Sequence, residues 1–105
     1  VYFENPAYLG TIETGAAEIA RMARAAGAET IVGVDPISLG VLRAPGDYGA
    51  DLVTGPVQPL GVHMNCGGGT GGFIASRDEE RYVREFNGFL LSIAPTREAG
   101  QWGFG

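Results

Sequence analysis

Two periodicities alternate along the chain. Ala16, Ile19, Ala20, Ala23 and Ala26 recur at helical spacing, with Glu13, Glu18, Arg21 and Arg24 on the polar side. The acids come early and the bases late, the order that the helix dipole favours. The apolar stripe is mostly alanine, so this helix is expected to sit close to whatever it covers. Thr11 or Thr14 is the predicted N-cap, and Gly27 the predicted C-terminal cap. The other apolar runs are short. Val1-Tyr2-Phe3 is β-prone and ends at Glu4-Asn5-Pro6, a turn signal. Thr30 to Val34 is apolar on both faces, as a central parallel strand is. Strand, helix and strand then form a right-handed βαβ unit. Asp35 falls at the carboxyl end of its second strand, where open α/β sheets bind ligands.

The second half alternates runs with breakers. Pro36 to Tyr48 reads as a loop with room for one helical turn. Ala50 to Thr54 and Gly72 to Ser76 are the next predicted strands. Between them Pro56, Pro59, Gly61, Gly67, Gly68 and Gly69 exclude a continuous helix. Ser76-x-x-Glu79 predicts a capping box and a helix from Arg77 to Phe86, with Tyr82, Val83 and Phe86 on its apolar side. Phe89 to Ile93 is a further apolar run, broken by Pro95. The tail from Arg97 is expected to be weakly ordered, with Trp102 and Phe104 lacking partners. The order β-α-β-loop-β-loop-β-α predicts an α/β chain, a three-layer partial sheet of about four strands and one domain over residues 1–105.

Composition narrows the function. The chain has 105 residues and a net charge of −5, which disfavours nucleic acid and anionic membranes as partners. The single cysteine, Cys66, has no internal partner and fits a reducing cytoplasm. No apolar run approaches the ~20 residues of a membrane span. All seven basic residues are arginine.

Candidate chemistry is sparse. The glycines from Gly67 to Gly72 lead into a strand, whereas nucleotide-binding loops open a helix. They read as a tight backbone crossing or as a loop closing on a cofactor held elsewhere. His63 and Cys66 have no third group to orient a nucleophile and are too few for structural zinc. Asp78, Glu79 and Glu80 with Arg81 and Arg84 read as a solvated helix face. Asp35 has two readings, an acid facing a protonated ring nitrogen or a turn residue before proline. Spacing alone favours the turn.

Four segments, in this order, resemble subunit 1 of the glycine cleavage P-protein, the decarboxylating glycine dehydrogenase family. They are Val34-Asp35-Pro36-Ile37-Ser38-Leu39-Gly40, Pro45-Gly46-Asp47-Tyr48-Gly49-Ala50-Asp51, Gln58-Pro59-Leu60-Gly61-Val62 and Gly72-Phe73-Ile74-Ala75-Ser76-Arg77. The resemblance implies a fold-type I, aminotransferase-like pyridoxal-phosphate fold, of which this chain is an excised piece of the large domain. It implies a parent complex that decarboxylates glycine and passes the aminomethyl group to the lipoyl carrier H-protein. Asp35 stands where such folds place the acid opposite the pyridine nitrogen. Gln58 or Pro59 stands near the position of their lysine. A Schiff base with the cofactor needs an amine, and this chain has no lysine. Subunit 2 is then the lysine-bearing partner, pyridoxal phosphate belongs to the parent complex, and Asp35 is either a contact to that cofactor or a relic. The isolated chain is expected to be inactive and to self-associate through an edge strand or its alanine-rich face. The competing expectations are a stand-alone α/β binding or assembly module, or a small-molecule domain using the glycine loop for an anion.

Overall fold

A computed structural model describes residues 1–64, 67, 71–85 and 93–104. They form two compact units, residues 1–75 and 76–105. The first holds most of the expected α/β pattern. Strand β1 (Tyr2–Glu4) leads through a loop to helix α1 (Ala16–Ala25) and then to β2 (Ile31–Gly33). Two single 3₁₀ turns (Ser38–Gly40 and Pro45–Tyr48), rather than one, fill the following connection. Strand β3 (Leu52–Pro56), a third 3₁₀ turn (Gln58–Leu60) and strand β4 (Gly72–Ser76) follow. The sheet order is β1-β2-β3-β4. β1, β2 and β3 are parallel, with Phe3, Val32 and Val53 in register.

Burial follows the sequence pattern. Val32 is fully buried, as expected of an apolar residue on a central parallel strand. Val34 and Ala50 complete the buried cluster, with Phe3, Leu39, Tyr48, Val53 and Phe73 packed on it. Ala16, Ala20 and Ala23 form the buried face of α1. Their small side chains let the helix approach the Pro45–Tyr48 turn. A Cβ on Gly49 would lie 3.6 Å from that of Ala20.

Both ends of α1 are tied down. Gly27 takes the left-handed φ of 72°. The Gly27 N–H donates to Arg24 O and the Ala28 N–H to Ala23 O, the paired bonds of a Schellman stop. The start differs from expectation. Neither Thr11 nor Thr14 caps the helix; the N-cap is Gly15, without a side-chain cap bond. Instead the Glu13 carboxylate accepts from the Gly15 N–H at 2.7 Å, and Asn5 Oδ1 accepts from the Glu13 N–H at 3.1 Å. The Glu13 carboxylate thus reaches only the N–H of the N-cap residue itself, and the Glu18 N–H of the first turn is met by Gly15 O at 2.9 Å.

The second unit departs further. Helix α2 is short (Glu80–Val83), and its N-cap is Glu79 rather than Ser76. The Ser76 hydroxyl donates to Arg77 O instead, so the capping box does not form. Phe86 lies outside the described residues. The tail is not loose: β5 (Ile93–Pro95) pairs antiparallel with β6 (Trp102–Phe104), placing Trp102 opposite Pro95. The Gly100 φ of 81° turns the chain back. The local rule that reads a polar, glycine-containing tail as loose does not see the cross-strand pairing that orders it.

Asp51 is a buried carboxylate, 5% exposed. It accepts from the Thr30 N–H at 2.9 Å and from Arg24 Nη2 at 3.3 Å. Arg24 also donates to Gly49 O at 3.0 Å. One carboxylate thereby links α1, the entrance to β2 and the entrance to β3. Burial pushes its pKa up. The Thr30 hydrogen bond, the Arg24 charge and hydrogen bond, and a hydrogen bond with Glu29 together outweigh burial and hold it below the ordinary 3.8. A folded-state pKa below the unfolded one gives stability that is complete above the unfolded value and is lost as pH falls through the folded value. Asp51→Asn is therefore expected to destabilise the chain by about 2 kcal/mol at neutral pH and to flatten the acid limb of stability. Urea midpoints measured from neutral pH down to pH 3 check this; an unchanged acid limb contradicts it.

Candidate functional site

The parallel strands place their carboxyl ends side by side, and a cleft of about 570 Å³ opens there. Glu4 from the end of β1, Val34 and Asp35 after β2, and Thr54 to Pro56 at the end of β3 line it. The loop through Pro6, Ala7 and Tyr8 makes the remaining wall. That loop is closed by the Ala7 N–H donating to Thr11 O at 2.8 Å and the Gly10 N–H to Ala7 O at 2.7 Å. Tyr8, 93% exposed, projects from it.

Glycines set the cleft floor. A Cβ at Gly33 would stand 2.6 Å from Tyr2 Oη and 3.1 Å from Glu4 Cγ, so both side chains lie over its backbone. The Tyr2 hydroxyl donates to Glu4 Oε1 at 3.1 Å. Partial burial, that hydrogen bond and the Glu4 charge all push the Tyr2 phenol above its ordinary value. At Gly55 a Cβ would meet Val34 O at 2.5 Å and the Phe73 ring at 2.9 Å. The Thr54 hydroxyl donates to Phe73 O at 3.1 Å, tying β3 to β4 beside the cleft.

Asp35 is at the carboxyl end of β2, on the cleft. It is exposed, and it also acts as a turn residue. Its Oδ1 accepts from the Ile37 N–H at 3.0 Å, while its carbonyl accepts from the Ser38 hydroxyl at 2.6 Å. The contacts of Asp35 are those of the turn reading, one carboxylate oxygen organising the turn, and the residue also lines the cleft.

Gln58 and Pro59 follow β3 after Val57, on a 3₁₀ turn stopped by Gly61 at φ 101°. Neither lines the cleft, and Gln58 Nε2 donates to Val62 O at 3.4 Å. His63 is exposed, whereas Cys66 lies outside the described residues. Among the described residues no group of His, Cys, Asp and Glu could hold a metal ion. No helix among them is long and apolar enough to cross a membrane.

Pyridoxal phosphate, which the resemblance implies, can be tested against these residues. A carboxylate at a strand end is present in Asp35. A side-chain amine is not, since every cationic side chain is an arginine. The chain does not fit a covalently held cofactor. Glu4, Tyr2 and Tyr8 were not singled out from the sequence. The signal for Glu4 was present, because it ends a parallel strand just as Asp35 does.

Comparisons with known proteins agree on one family. A family profile described as glycine cleavage system P-protein matches residues 1–102. Probable glycine dehydrogenase (decarboxylating) subunit 1 of Pyrococcus furiosus is 40% identical over 98 residues, covering 93% of this chain and 22% of the relative. The protein of the same description from Chlorobium limicola is 44% identical over 104 residues, 99% of this chain and 23% of the relative. A crystal structure of glycine decarboxylase (P-protein) of the glycine cleavage system, in inhibitor-bound form, superposes with a TM-score of 0.75 at 41% identity. That match covers 99% of this chain and 23% of the other. The chain therefore spans about a fifth of the length of its relatives. The fold expected from the resemblance, part of a fold-type I domain, is the one found.

Gly55→Ala is expected to cost about 2 kcal/mol, because the methyl group meets backbone on one side and an aromatic ring on the other. Thermal unfolding followed by circular dichroism checks this; an unchanged melting temperature contradicts it.

Proposed function

The chain belongs to the glycine cleavage P-protein family, and from that premise we propose that it serves as part of the non-lysine subunit of a decarboxylating glycine dehydrogenase. The single observation that supports this is a family sheet with a strand-end cleft and no amine after β3, where Gln58 and Pro59 stand. A chain built this way supplies scaffold and partner surface. The partner subunit supplies the lysine, and pyridoxal phosphate is held in the assembled enzyme. That enzyme decarboxylates glycine and passes the aminomethyl group to the lipoyl carrier H-protein, in the cytoplasm.

Within this reading the cleft residues have limited roles. Asp35 and Glu4 place negative charge at the strand ends, and Tyr2 and the loop to Tyr8 shape the wall. None of them supplies a nucleophilic amine. The chain by itself is inactive, and it self-associates through the edge of its sheet, because an unpaired strand edge invites pairing.

Pyridoxal phosphate titrated into the chain and fixed with borohydride tests the reading. The expected outcome is no phosphopyridoxyl group on any side chain, mapped by peptide mass spectrometry. A side-chain adduct contradicts it. Saturable binding by absorption that disappears in Asp35→Ala contradicts the assignment of Asp35 as a relic.

A further inference from the structure

The loop between β1 and α1 is closed at its neck by one side chain. Asn5 Oδ1 accepts from the Glu13 N–H at 3.1 Å, and Asn5 Nδ2 donates to Glu13 O at 3.4 Å. One amide thus meets both backbone groups of Glu13, as a residue on a paired strand would. The backbone N–H of Asn5 donates to Gly33 O at 2.9 Å, which carries the β1–β2 ladder one residue past β1. The Asn5 side chain also hydrogen-bonds Tyr48, which packs on the core cluster. The end of β1, the approach to α1 and the Pro45–Tyr48 turn therefore meet at one half-buried residue.

Residues 6–12 hang from this neck. Within them the Ala7 N–H donates to Thr11 O at 2.8 Å and the Gly10 N–H to Ala7 O at 2.7 Å, with Gly10 at φ 82°. Pro6, Ala7, Tyr8 and Gly10 of the same loop wall the strand-end cleft. Compact loops with their ends held together are frequent carriers of function.

We infer that Asn5 is the positioning residue of the cleft: its amide clasps the loop at both ends, so that the wall stands fixed before anything enters. The inference goes beyond the division of labour proposed above and is independent of which subunit supplies the lysine. Every bond it uses is internal to the first unit.

Two simpler roles for Asn5 do not account for these bonds. To end β1, its backbone N–H is enough, and the side chain has no need of Glu13. To hinge a moving lid, a neck needs contacts that release easily, whereas this one carries two bonds to a single backbone residue and another to the core. The residue type fits the clasp. A short planar amide offers an acceptor and two donors together; aspartate keeps only acceptors and alanine keeps neither. A wall ordered in advance removes the cost of ordering it from the binding of a ligand.

Residue-resolved amide hydrogen exchange of the full chain tests the inference, with urea unfolding as the folding control. In the wild-type chain the Ala7, Gly10 and Glu13 amides are expected to be protected. Asn5→Ala is expected to speed exchange at all three by roughly tenfold through local opening, with the sheet amides of Val34 and Leu52 unchanged. Asn5→Asp keeps the acceptor for the Glu13 N–H and is expected to give a smaller acceleration. Loop amides that exchange freely in the wild-type chain overturn the inference, whether or not the variants fold. Loop amides unchanged in Asn5→Ala overturn it too. So does an equal acceleration at Val34 and Leu52, because Asn5 then holds the fold as a whole and not the wall.

Discussion

The buried carboxylate of Asp51 is the contact on which the first unit depends. Helix α1 runs directly into the turn before β2, whereas the turn before β3 lies 21 residues further on, from Thr30 to Asp51. Alanine supplies most of the buried face of α1, and small side chains contribute little burial energy each. The charged and hydrogen-bonded link from Arg24 through Asp51 to Thr30 supplies what alanine cannot: direction. It fixes where α1 ends relative to the amino ends of β2 and β3. With those ends fixed and the strands in register, the carboxyl ends that line the cleft are fixed as well.

The cleft shows how shape can persist without the group that would do chemistry. Gly33 and Gly55 are places where backbone, tyrosine and phenylalanine approach too closely for a Cβ. These constraints preserve a strand-end cavity whether or not an amine follows β3. The residue types and the geometry therefore separate cleanly. The geometry is that of the P-protein family, while every basic side chain is an arginine and none is an amine. The proposed division of labour, in which a partner subunit supplies the nucleophile, is consistent with both.

Much of this was legible in the sequence where local rules and tertiary demands coincide. The βαβ unit, the Gly27 stop and the Gly72–Ser76 strand follow from spacing and glycine placement. Asp35 was readable as a strand-end residue for the same reason. The misses are places where another group replaces the expected one. Gly15 rather than a threonine stands at the N-cap of α1, α2 began after Glu79 although Ser76 offered a capping box, and pairing with Ile93–Pro95 ordered the Trp102 tail. Glu4 and Tyr2 became site residues only once the register set them beside Gly33. The role of Asp51 needed three segments folded together, which no window along the chain reveals.

The most direct measurement of the central claim is exchange of labelled bicarbonate into the carboxyl carbon of glycine, with pyridoxal phosphate and lipoyl carrier protein supplied. The chain alone is predicted to give no exchange above the protein-free control. Exchange by the chain alone, proportional to its concentration, contradicts the assignment of the amine to a partner subunit.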